Sequence, residues 1–284
     1  MSPDLIKSLT LAGLVGMMLS MGLKSSPGDV LASVLDLRGT AASLAANFVL
    51  VPAVTLALLY AFGASPMVSA GFLILAVCPG APVGPPFAAV AKGDVAFASG
   101  QMVVLAATSA VLSPLLLGLL MARLLPAEGL RVDSVAIVQT LAISQVLPLL
   151  VGLTASRLAP RLARCLADPV GMAASLVLAL VIAAVLIGEF AWLRQIPLTS
   201  WTGMFLLMAS GLSIGWLCGG PGRARRKALA VTTSARNAAV ALVIVSGTFA
   251  GTAAVTAVIA YALASIVTTF GCALLLARMA EPGR

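Results

Sequence analysis

The sequence predicts an all-α polytopic membrane protein on three observations. Of the 284 residues, 61% are hydrophobic and only 9% are charged, and the mean hydropathy is +1.13. A soluble domain is about one-quarter charged, so a chain of this composition needs lipid as its solvent. Apolar stretches of about 20 residues, the length that crosses the hydrocarbon core, recur along the chain and are separated by short polar connections rich in Gly and Pro.

We interpret nine of these stretches as transmembrane spans. In chain order they cover residues 5–23, 40–62, 66–91, 95–122, 133–156, 170–192, 199–219, 227–247 and 252–277. The first stretch continues into a multi-span pattern, so we interpret it as a helix and not as a cleavable signal peptide. Residues 1–284 then form a single transmembrane unit with approximate halves at 1–123 and 132–284.

The charged residues of the connections predict the orientation. With nine spans, twelve Lys and Arg fall on the side of the C-terminus and four on the other side, and Arg236 is left inside a span. The twelve are Lys24, Arg38, Lys92, Arg157, Arg161, Arg164, Arg223, Arg225, Arg226, Lys227, Arg278 and Arg284, and the four are Lys7, Arg123, Arg131 and Arg194. Because cytoplasmic loops carry the excess of Lys and Arg, we expect a plasma (inner) membrane protein with its N-terminus outside and its C-terminus in the cytoplasm. The net charge of +8 therefore reflects topology and does not predict a nucleic-acid partner.

The third span is predicted not to be a continuous helix. Its segment Cys78-Pro79-Gly80-Ala81-Pro82-Val83-Gly84-Pro85-Pro86 holds four prolines and two glycines in nine residues. Each proline removes a backbone donor and clashes with the preceding turn. Broken backbone at membrane depth is tolerated where it lines a cavity or is buried in protein, and in transporters it marks the binding site. A kink that only shapes helix packing is the alternative.

The eighth span contains the most informative residue, Arg236. The residues from Thr232 to Asn237 are polar except Ala235, and the span has no Asp or Glu to pair with the guanidinium. Counted from Lys227 at ~1.5 Å per residue, Arg236 lies roughly 13 Å deep, near the middle of a ~30 Å hydrocarbon core. A charge at this depth indicates a functional site, here one for an anionic substrate. The alternatives are an Arg that extends to the membrane surface and one that bonds to free carbonyls of the third span.

Four segments along the chain match the motifs of one transporter family in order and spacing. Cys78-Pro79-Gly80, followed by Ala91-Lys92-Gly93-Asp94-Val95-Ala96, is similar to a CPGG…SN…ARGNVA region. The other three are Ser20-Met21-Gly22-Leu23 with Pro27 and Asp29, Asn47-Phe48 with Pro52, and Ala228 to Asn237 with Thr248-Phe249. Together these segments resemble the bile acid:sodium symporter family.

This resemblance implies a fold of inverted repeats with a panel domain and a core domain. In the family, two core helices are discontinuous and cross near the midplane, and they correspond here to the third and eighth spans. Core helices are then expected within 66–123 and 227–277, and panel helices within parts of 5–62 and 133–219. The nine spans resemble those members that lack the first helix of the longer forms.

The positions that correspond to the family's sodium sites depart from its pattern. The residues that replace sodium ligands are Gly84, Pro85, Ala98, Met102 and Thr232. A motif Gln becomes Arg236, a helix Gln becomes Asn47, and a motif Asn is kept as Asn237. Sodium needs several hard oxygen ligands, and a guanidinium close to it repels it in a low dielectric. We therefore expect no metal site and no cofactor, with sodium coupling weakened or absent.

We predict a secondary transporter that moves a small organic anion, a carboxylate or a bile-acid-like molecule, by alternating access. Arg236 is expected to bind the anion or to stand in for the sodium ion. The other residues expected at the substrate site are Asn47, Pro82, Val83, Gly84, Pro85, Thr232, Thr233, Ser234 and Asn237. The expected partners are this substrate and the lipid bilayer. The sequence does not determine the oligomeric state and is compatible with a monomer. Because Glu189 and Asp94 fall at span ends, uniport or exchange is favoured over proton coupling.

Three other functions are alternatives. A conventional sodium-coupled symporter has the same fold, an arsenite-type exporter would use Cys78 in the broken helix without needing Arg236, and a sensor would bind without transport. An enzyme is not expected, because the chain has no His and no visible nucleophile–base pair. The four cysteines lie in or beside separate spans and have neither metal-ligand nor disulfide spacing.

Overall fold

A computed structural model of the chain describes residues 3–124, 133–188, 196 and 198–279, and twelve helices account for most of them. The first six are α1 (Pro3–Lys24), α2 (Pro27–Leu35), α3 (Leu37–Ala61), α4 (Pro66–Ala76), α5 (Gly84–Val90) and α6 (Val95–Leu124). The other six are α7 (Ser134–Leu158), α8 (Pro160–Gly188), α9 (Leu198–Cys218), α10 (Arg223–Ser234), α11 (Ala238–Thr248) and α12 (Ala253–Ala277). Since the described residues contain no strand, the predicted all-α fold is confirmed.

Eight stretches of the described residues are long and apolar enough to cross a membrane, as a multi-pass membrane protein requires. They are α1, α3, α6, α7, α8, α9, the pair α10–α11 taken together, and α12. The remaining predicted span, 66–91, is divided between the 11-residue helix α4 and the 7-residue helix α5. Pro79 and Pro82 lie in the seven residues between these helices, where each removes a donor that a continuous helix would need.

Two predicted boundaries differ from the structure. Helix α8 begins at Pro160 rather than at residue 170, so Arg161 and Arg164 lie on a helix and not in a connection. Proline is favoured in the first turn of a helix, where its missing N–H would have no partner. Helix α10 begins at Arg223, so Lys227 is inside a helix and only 2% exposed. Four charged residues used in the predictions above lie outside the described residues. They are Arg131, Glu189, Arg194 and Arg284.

Helices α1, α7 and α8 pack against one another as a layer, called the α1–α7–α8 layer below. Small residues allow their close approach, since a Cβ added to Gly22 would come within 2.9 Å of the Cα of Gly152. Ser20 of α1 donates a hydrogen bond to the carbonyl of Ala167 in α8 at 2.7 Å. These helices fall within the ranges expected for the panel, and the division into panel, core and inverted repeats stays a prediction.

The other long helices surround the two broken spans. Helix α9 packs against α10 and α3, and α12 packs against α4. All residues of α10 from Lys227 to Ser234 are buried, whereas α8 exposes Leu176, Leu180 and Ile187 on its outer face. The polar residues of the eighth predicted span are therefore surrounded by protein and not by lipid, which broken backbone at membrane depth requires.

Candidate functional site

The two broken spans meet at their breaks, where Asn237 joins them. Its backbone N–H donates to the carbonyl of Cys78 at 2.9 Å, and its Nδ2 donates to the carbonyl of Gly80 at 3.3 Å. Its Oδ1 accepts from the N–H of Val240 at 3.2 Å and so caps α11. Gly80 has φ +81, and an added Cβ would come within 2.8 Å of the backbone nitrogen of Ala106, so only glycine fits there. The breaks of the two spans are therefore in contact, and the crossing of two discontinuous helices near the midplane stays a prediction.

Arg236 lies between α10 and α11 and is only 5% exposed. Its Nη1 donates to the Oδ1 of Asn47 at 3.1 Å and to the carbonyl of Ala76 at 3.4 Å. Ala76 ends α4, and the partial negative charge at a helix C-terminus stabilises a cation. The Nη2 of Arg236 is buried without a hydrogen-bond partner among the described residues. The interpretation in which Arg236 extends to the membrane surface is therefore wrong, and its bond to a free carbonyl of the third span is observed.

Asn47 contacts the guanidinium from α3. It lies in a π-helical segment, Ala46–Leu50, and Pro52 follows this segment closely. A proline has no N–H to donate to the preceding helical turn, which favours a wider π-helical turn there. The Nδ2 of Asn47 donates to the carbonyl of Ser43 at 2.9 Å and to the Oγ1 of Thr233 at 3.3 Å. Both bonds engage the amide nitrogen, so the amide oxygen is left to accept from Arg236.

The other hydroxyl groups of the eighth predicted span are engaged within the protein. The Oγ1 of Thr232 donates to two carbonyls of its own helix, at 2.9 and 3.2 Å. The Oγ of Ser234 donates to the carbonyl of Met208 in α9 at 3.2 Å. Neither of these residues, nor Thr233, lines the cavity beside Arg236 that is described below. Their bonds stabilise the last turn of α10.

The positions that replace sodium ligands contact their surroundings mainly through carbon atoms. A Cβ added to Gly84 would come within 2.9 Å of the Cγ2 of Thr232, so a larger residue would displace that side chain. Ala98 belongs to a buried apolar cluster with Ala88, Ala91, Phe97, Ala228, Leu229, Val231 and Ala273. Met102 is part of the main hydrophobic core. The described residues contain no group of three or more Cys, Asp or Glu that could hold a metal ion.

A cavity of about 230 Å³ lies beside Arg236, between the α1–α7–α8 layer and the two breaks. Its walls are mostly apolar and include Leu178, Ile182 and Leu242, and Arg236 is the only charged residue among the described residues that line it. The start of α11 also lines it. There the N–H of Ala238 donates to a backbone carbonyl, and the N–H of Val240 donates to the side chain of Asn237. The N–H of Ala239, also in the first turn, therefore remains as a donor for a ligand in the cavity.

A larger cavity of about 550 Å³ adjoins the first one. The residues that line both are Met17, Pro82, Val83 and Ser175. At the rim of the larger cavity, the Nζ of Lys24 and a carboxylate oxygen of Asp168 form an ion pair of 2.8 Å, with side chains 52% and 80% exposed. The two cavities together extend from this exposed rim to the buried Arg236. A separate cavity of about 380 Å³ between α3, α4 and α9 contains none of the predicted site residues.

The structure brings together part of the predicted substrate site. Hydrogen bonds link Arg236 to Asn47 and Asn47 to Thr233, and Asn237 joins the two breaks. Of the prolines, Pro82 lines both cavities and Pro85 lines only the larger one. Val83 lines both, whereas Gly84, Thr232 and Ser234 lie outside both. The contact of each residue with a substrate stays a prediction.

Sequence reasoning missed Tyr261 at this site, and it anticipated a carbonyl of the third span as a partner of Arg236 without identifying Ala76. Tyr261 is 1% exposed, and its hydroxyl donates to the carbonyl of Ser234 at 3.5 Å, at the end of α10. A Tyr within an apolar span is a signal, because a buried hydroxyl usually finds a partner. Residue types do not reveal which backbone carbonyl bonds to Arg236. The sequence indicates only that α4 ends at a break, where the last carbonyls of that helix lack helical partners.

Polar residues elsewhere in the spans join helices to one another. The Nε2 of Gln145 in α7 donates to the Oγ of Ser109 in α6 at 2.8 Å, and the Nε2 of Gln101 donates to the Oγ1 of Thr40 at 2.8 Å. Cys78 is fully buried and lines neither cavity, so no observation favours the arsenite-type alternative.

A family model for the sodium bile acid symporter family matches residues 11–196, more than half of the chain. The chain therefore belongs to this family of secondary transporters, whose substrates are organic anions or bile acids. A search of curated proteins gives no match. The matched range includes the broken third span but ends before the eighth, so it does not include Arg236. The contacts of Arg236 therefore rest on the structure alone.

Proposed function

From membership of this family, we propose that the protein transports a small organic anion and uses the guanidinium of Arg236 in place of a sodium ion. One observation carries the proposal. Arg236 is buried where the breaks of two spans meet, and beside a cavity its Nη2 has no partner among the described residues. A buried charged donor without a partner costs about 1–3 kcal/mol or more, so its position beside a cavity favours a role in binding an anion.

The contacts of Arg236 support its role as a built-in cation. Its Nη1 bonds to an amide oxygen and a backbone carbonyl, from Asn47 and Ala76, and these are the kinds of oxygen that hard cations bind. A sodium ion close to the guanidinium would be strongly repelled in this buried region. The family's other sodium positions have carbon in place of oxygen here, at Ala98 for example. Sodium coupling is therefore weakened or absent.

The cavity that borders Arg236 is large enough for a small anionic group, and a longer substrate would extend into the adjoining cavity of about 550 Å³. Pockets for drug-sized ligands measure about 300–1,000 Å³, and the cavity beside Arg236 measures about 230 Å³. A carboxylate there would accept from the Nη2 of Arg236 and from the N–H of Ala239 at the start of α11, and the helix dipole favours the same negative charge. The apolar walls at Leu178 and Ile182 would contact a short hydrocarbon part of the substrate.

The arrangement of the cavities supports alternating access. Both cavities lie between the α1–α7–α8 layer and the broken spans, so a movement of this layer against them would open the site to one side at a time. In the predicted orientation, the rim at Lys24 and Asp168 is cytoplasmic. No carboxylate of the described residues lines the cavity beside Arg236, which favours uniport or exchange over proton coupling.

Anion binding by the purified protein tests the proposal. Thermal unfolding is measured with a panel of short carboxylates, sulfonates and bile acids, in sodium chloride or choline chloride, for wild type, Arg236→Gln and the exposed control Arg161→Gln. We expect one or more small anions to raise the Tm of wild type and of the control equally in both salts. Arg236→Gln should lose this shift. A shift that requires sodium and persists in Arg236→Gln would overturn the proposal.

Flux distinguishes a transporter from a sensor. The anion found above is loaded into proteoliposomes, and exchange of the labelled anion across the membrane is followed for wild type and Arg236→Gln. We expect exchange with wild type in the absence of sodium and none with the variant. Binding without exchange by wild type would identify a sensor and contradict transport.

A further inference from the structure

A groove of about 460 Å³ lies between α9 and α12, at the end of the molecule where α10 begins. Its lining is apolar apart from a serine and a cysteine and includes Trp216, Leu217 and Leu275. Leu217 is 77% exposed and Leu275 is 62% exposed. The groove therefore opens to the outer face of the helix bundle, where lipid covers such side chains.

Three cations are close in the chain, or bonded, to residues that line this groove. Arg226 is one turn before Ala230 on the same face of α10, and Ala230 lines the groove. Lys227 is 2% exposed, and its Nζ donates to the carbonyl of Met279 at 3.1 Å, a residue that also lines the groove. Arg278 directly precedes Met279 and is exposed.

These cations lack matching carboxylates in the part of the chain that the structure describes. No Asp lines the groove, and the two described ion pairs engage Asp168 with Lys24 and Asp36 with Arg225. An ammonium has three donors, so the buried Lys227 with one carbonyl partner is under-satisfied. An apolar groove with a cationic end is complementary to a lipid with an anionic head group.

We propose that this groove binds an anionic phospholipid. An acyl chain lies along Trp216 and Leu275, and the phosphate lies at Arg226 and Arg278 within the field of Lys227. The bound lipid holds the start of α10 against the end of α12 and so stabilises the broken eighth span from its outer end. The site is separate from the cavity beside Arg236, and it does not depend on which anion the protein transports.

Trp216 provides a direct readout, because bromine on an acyl chain quenches a nearby indole. The protein is reconstituted in phosphatidylcholine vesicles that contain a small fraction of either brominated phosphatidylglycerol or brominated phosphatidylcholine. We expect stronger quenching by phosphatidylglycerol at equal mole fraction, and Trp216→Phe should remove the difference. The double variant Arg226→Gln/Arg278→Gln should reduce the preference by up to about 30-fold, since each cation near the surface contributes about fivefold.

Controls separate this site from general charge effects. Arg161→Gln/Arg164→Gln removes two cations from α8 and should leave the preference unchanged. Arg278→Gln alone should reduce the preference for phosphatidylglycerol about fivefold. Because Arg278 is exposed and outside the helices, this single variant provides the test if the double variant does not fold. Equal quenching of wild type by the two brominated lipids would overturn the proposal, as would a preference that is undiminished in Arg278→Gln. Loss of the preference on adding inorganic phosphate at constant ionic strength would identify a phosphate site and not a lipid site.

Discussion

Two buried cations of the eighth predicted span, Lys227 and Arg236, have different surroundings. They are 2% and 5% exposed, so burial does not distinguish them. Lys227 lies within a continuous helix near the end of the bundle and bonds to the carbonyl of Met279. Arg236 lies where two helices break, and it bonds to oxygens of Asn47 and Ala76 beside a cavity. The difference teaches that burial alone does not mark a candidate transport site, and that broken backbone and a cavity distinguish Arg236 from Lys227.

The sharpest test of this comparison replaces each cation by Met, which keeps much of the volume and removes the charge. Arg236→Met should weaken anion binding by roughly 10- to 100-fold, because hydrogen bonds to charged groups contribute about 1.5–3 kcal/mol. Lys227→Met should leave anion binding unchanged. Titration calorimetry with the anion identified by thermal shift measures both. Equal losses in the two variants would show that both act only through the stability of α10.

A carboxylate introduced into the protein beside the guanidinium of Arg236 should bind it and so compete with the substrate anion. Asn47→Asp would place a negative charge at the position of the Oδ1 that now lies 3.1 Å from the Nη1 of Arg236. We expect at least about a tenfold loss of anion affinity and little change in the Tm, since the ion pair gained with Arg236 offsets the lost amide donation to Ser43. Calorimetry and thermal unfolding measure the two effects.

Asn47→Leu is the matched control, because it removes the oxygen and adds no charge. It should destabilise the protein by about 1–3 kcal/mol, since the Nη1 then keeps only the carbonyl of Ala76. Full anion affinity in Asn47→Asp would mean that Arg236 has a structural role alone.

Thr232 tests whether any sodium ligand is retained. Its hydroxyl bonds to carbonyls of its own helix, so Thr232→Val should cost no more than about 1 kcal/mol of stability. The Tm in sodium chloride and in choline chloride should be equal for wild type and variant. A sodium-dependent rise in wild type that disappears in Thr232→Val would make this hydroxyl a ligand and contradict the replacement of sodium by Arg236.

The smallest expected effect concerns the ion pair between Arg225 and Asp36, outside the cavity. The hydrogen bond from Arg225, followed by that from the N–H of Gly39, holds the pKa of Asp36 below its usual value. A lowered folded pKa gives stability that is present above the unfolded pKa of about 3.9 and is lost as the pH falls through the folded pKa. Because the pair is about one-third exposed, we expect under about 1 kcal/mol.

Thermal unfolding between neutral pH and about pH 3 measures this contribution. Asp36→Asn should lower the Tm slightly at neutral pH and should remove part of the acid-induced decrease. The anion-dependent Tm shift should be the same in Asp36→Asn and wild type. A loss of that shift would connect this pair to the substrate site.

The sequence predicted the helical fold and the two breaks well because both depend on local chemistry. Apolar stretches of about 20 residues need only their own length and composition to identify them. Pro79, Gly80 and Pro82, so close together, prevent a continuous helix through their own local chemistry. The start of α8 at Pro160 was predicted wrongly, because the basic residues after it are compatible with both a connection and an amphipathic helix.

The substrate site was predicted only in part. Arg236 and Asn237 lie where the two breaks meet, and they were visible in the sequence because polar residues interrupt an apolar span there; their contact with a substrate stays a prediction. Thr232 and Ser234 were expected to orient a substrate, but their hydroxyls bond within α10 or to α9. Which face of a helix a hydroxyl occupies depends on the neighbouring helices, and a single sequence does not contain that information.

By itself the sequence determined that this chain crosses a membrane, that two of its spans are interrupted, and that a lone cation lies in one interruption. Only the tertiary structure decided what that cation contacts. The guanidinium of Arg236 meets an amide from α3 and a carbonyl from α4, residues 189 and 160 positions away in the chain. Contacts over such separations arise from helix packing, which buries the charge and leaves its Nη2 without a partner in the part of the chain that the structure describes.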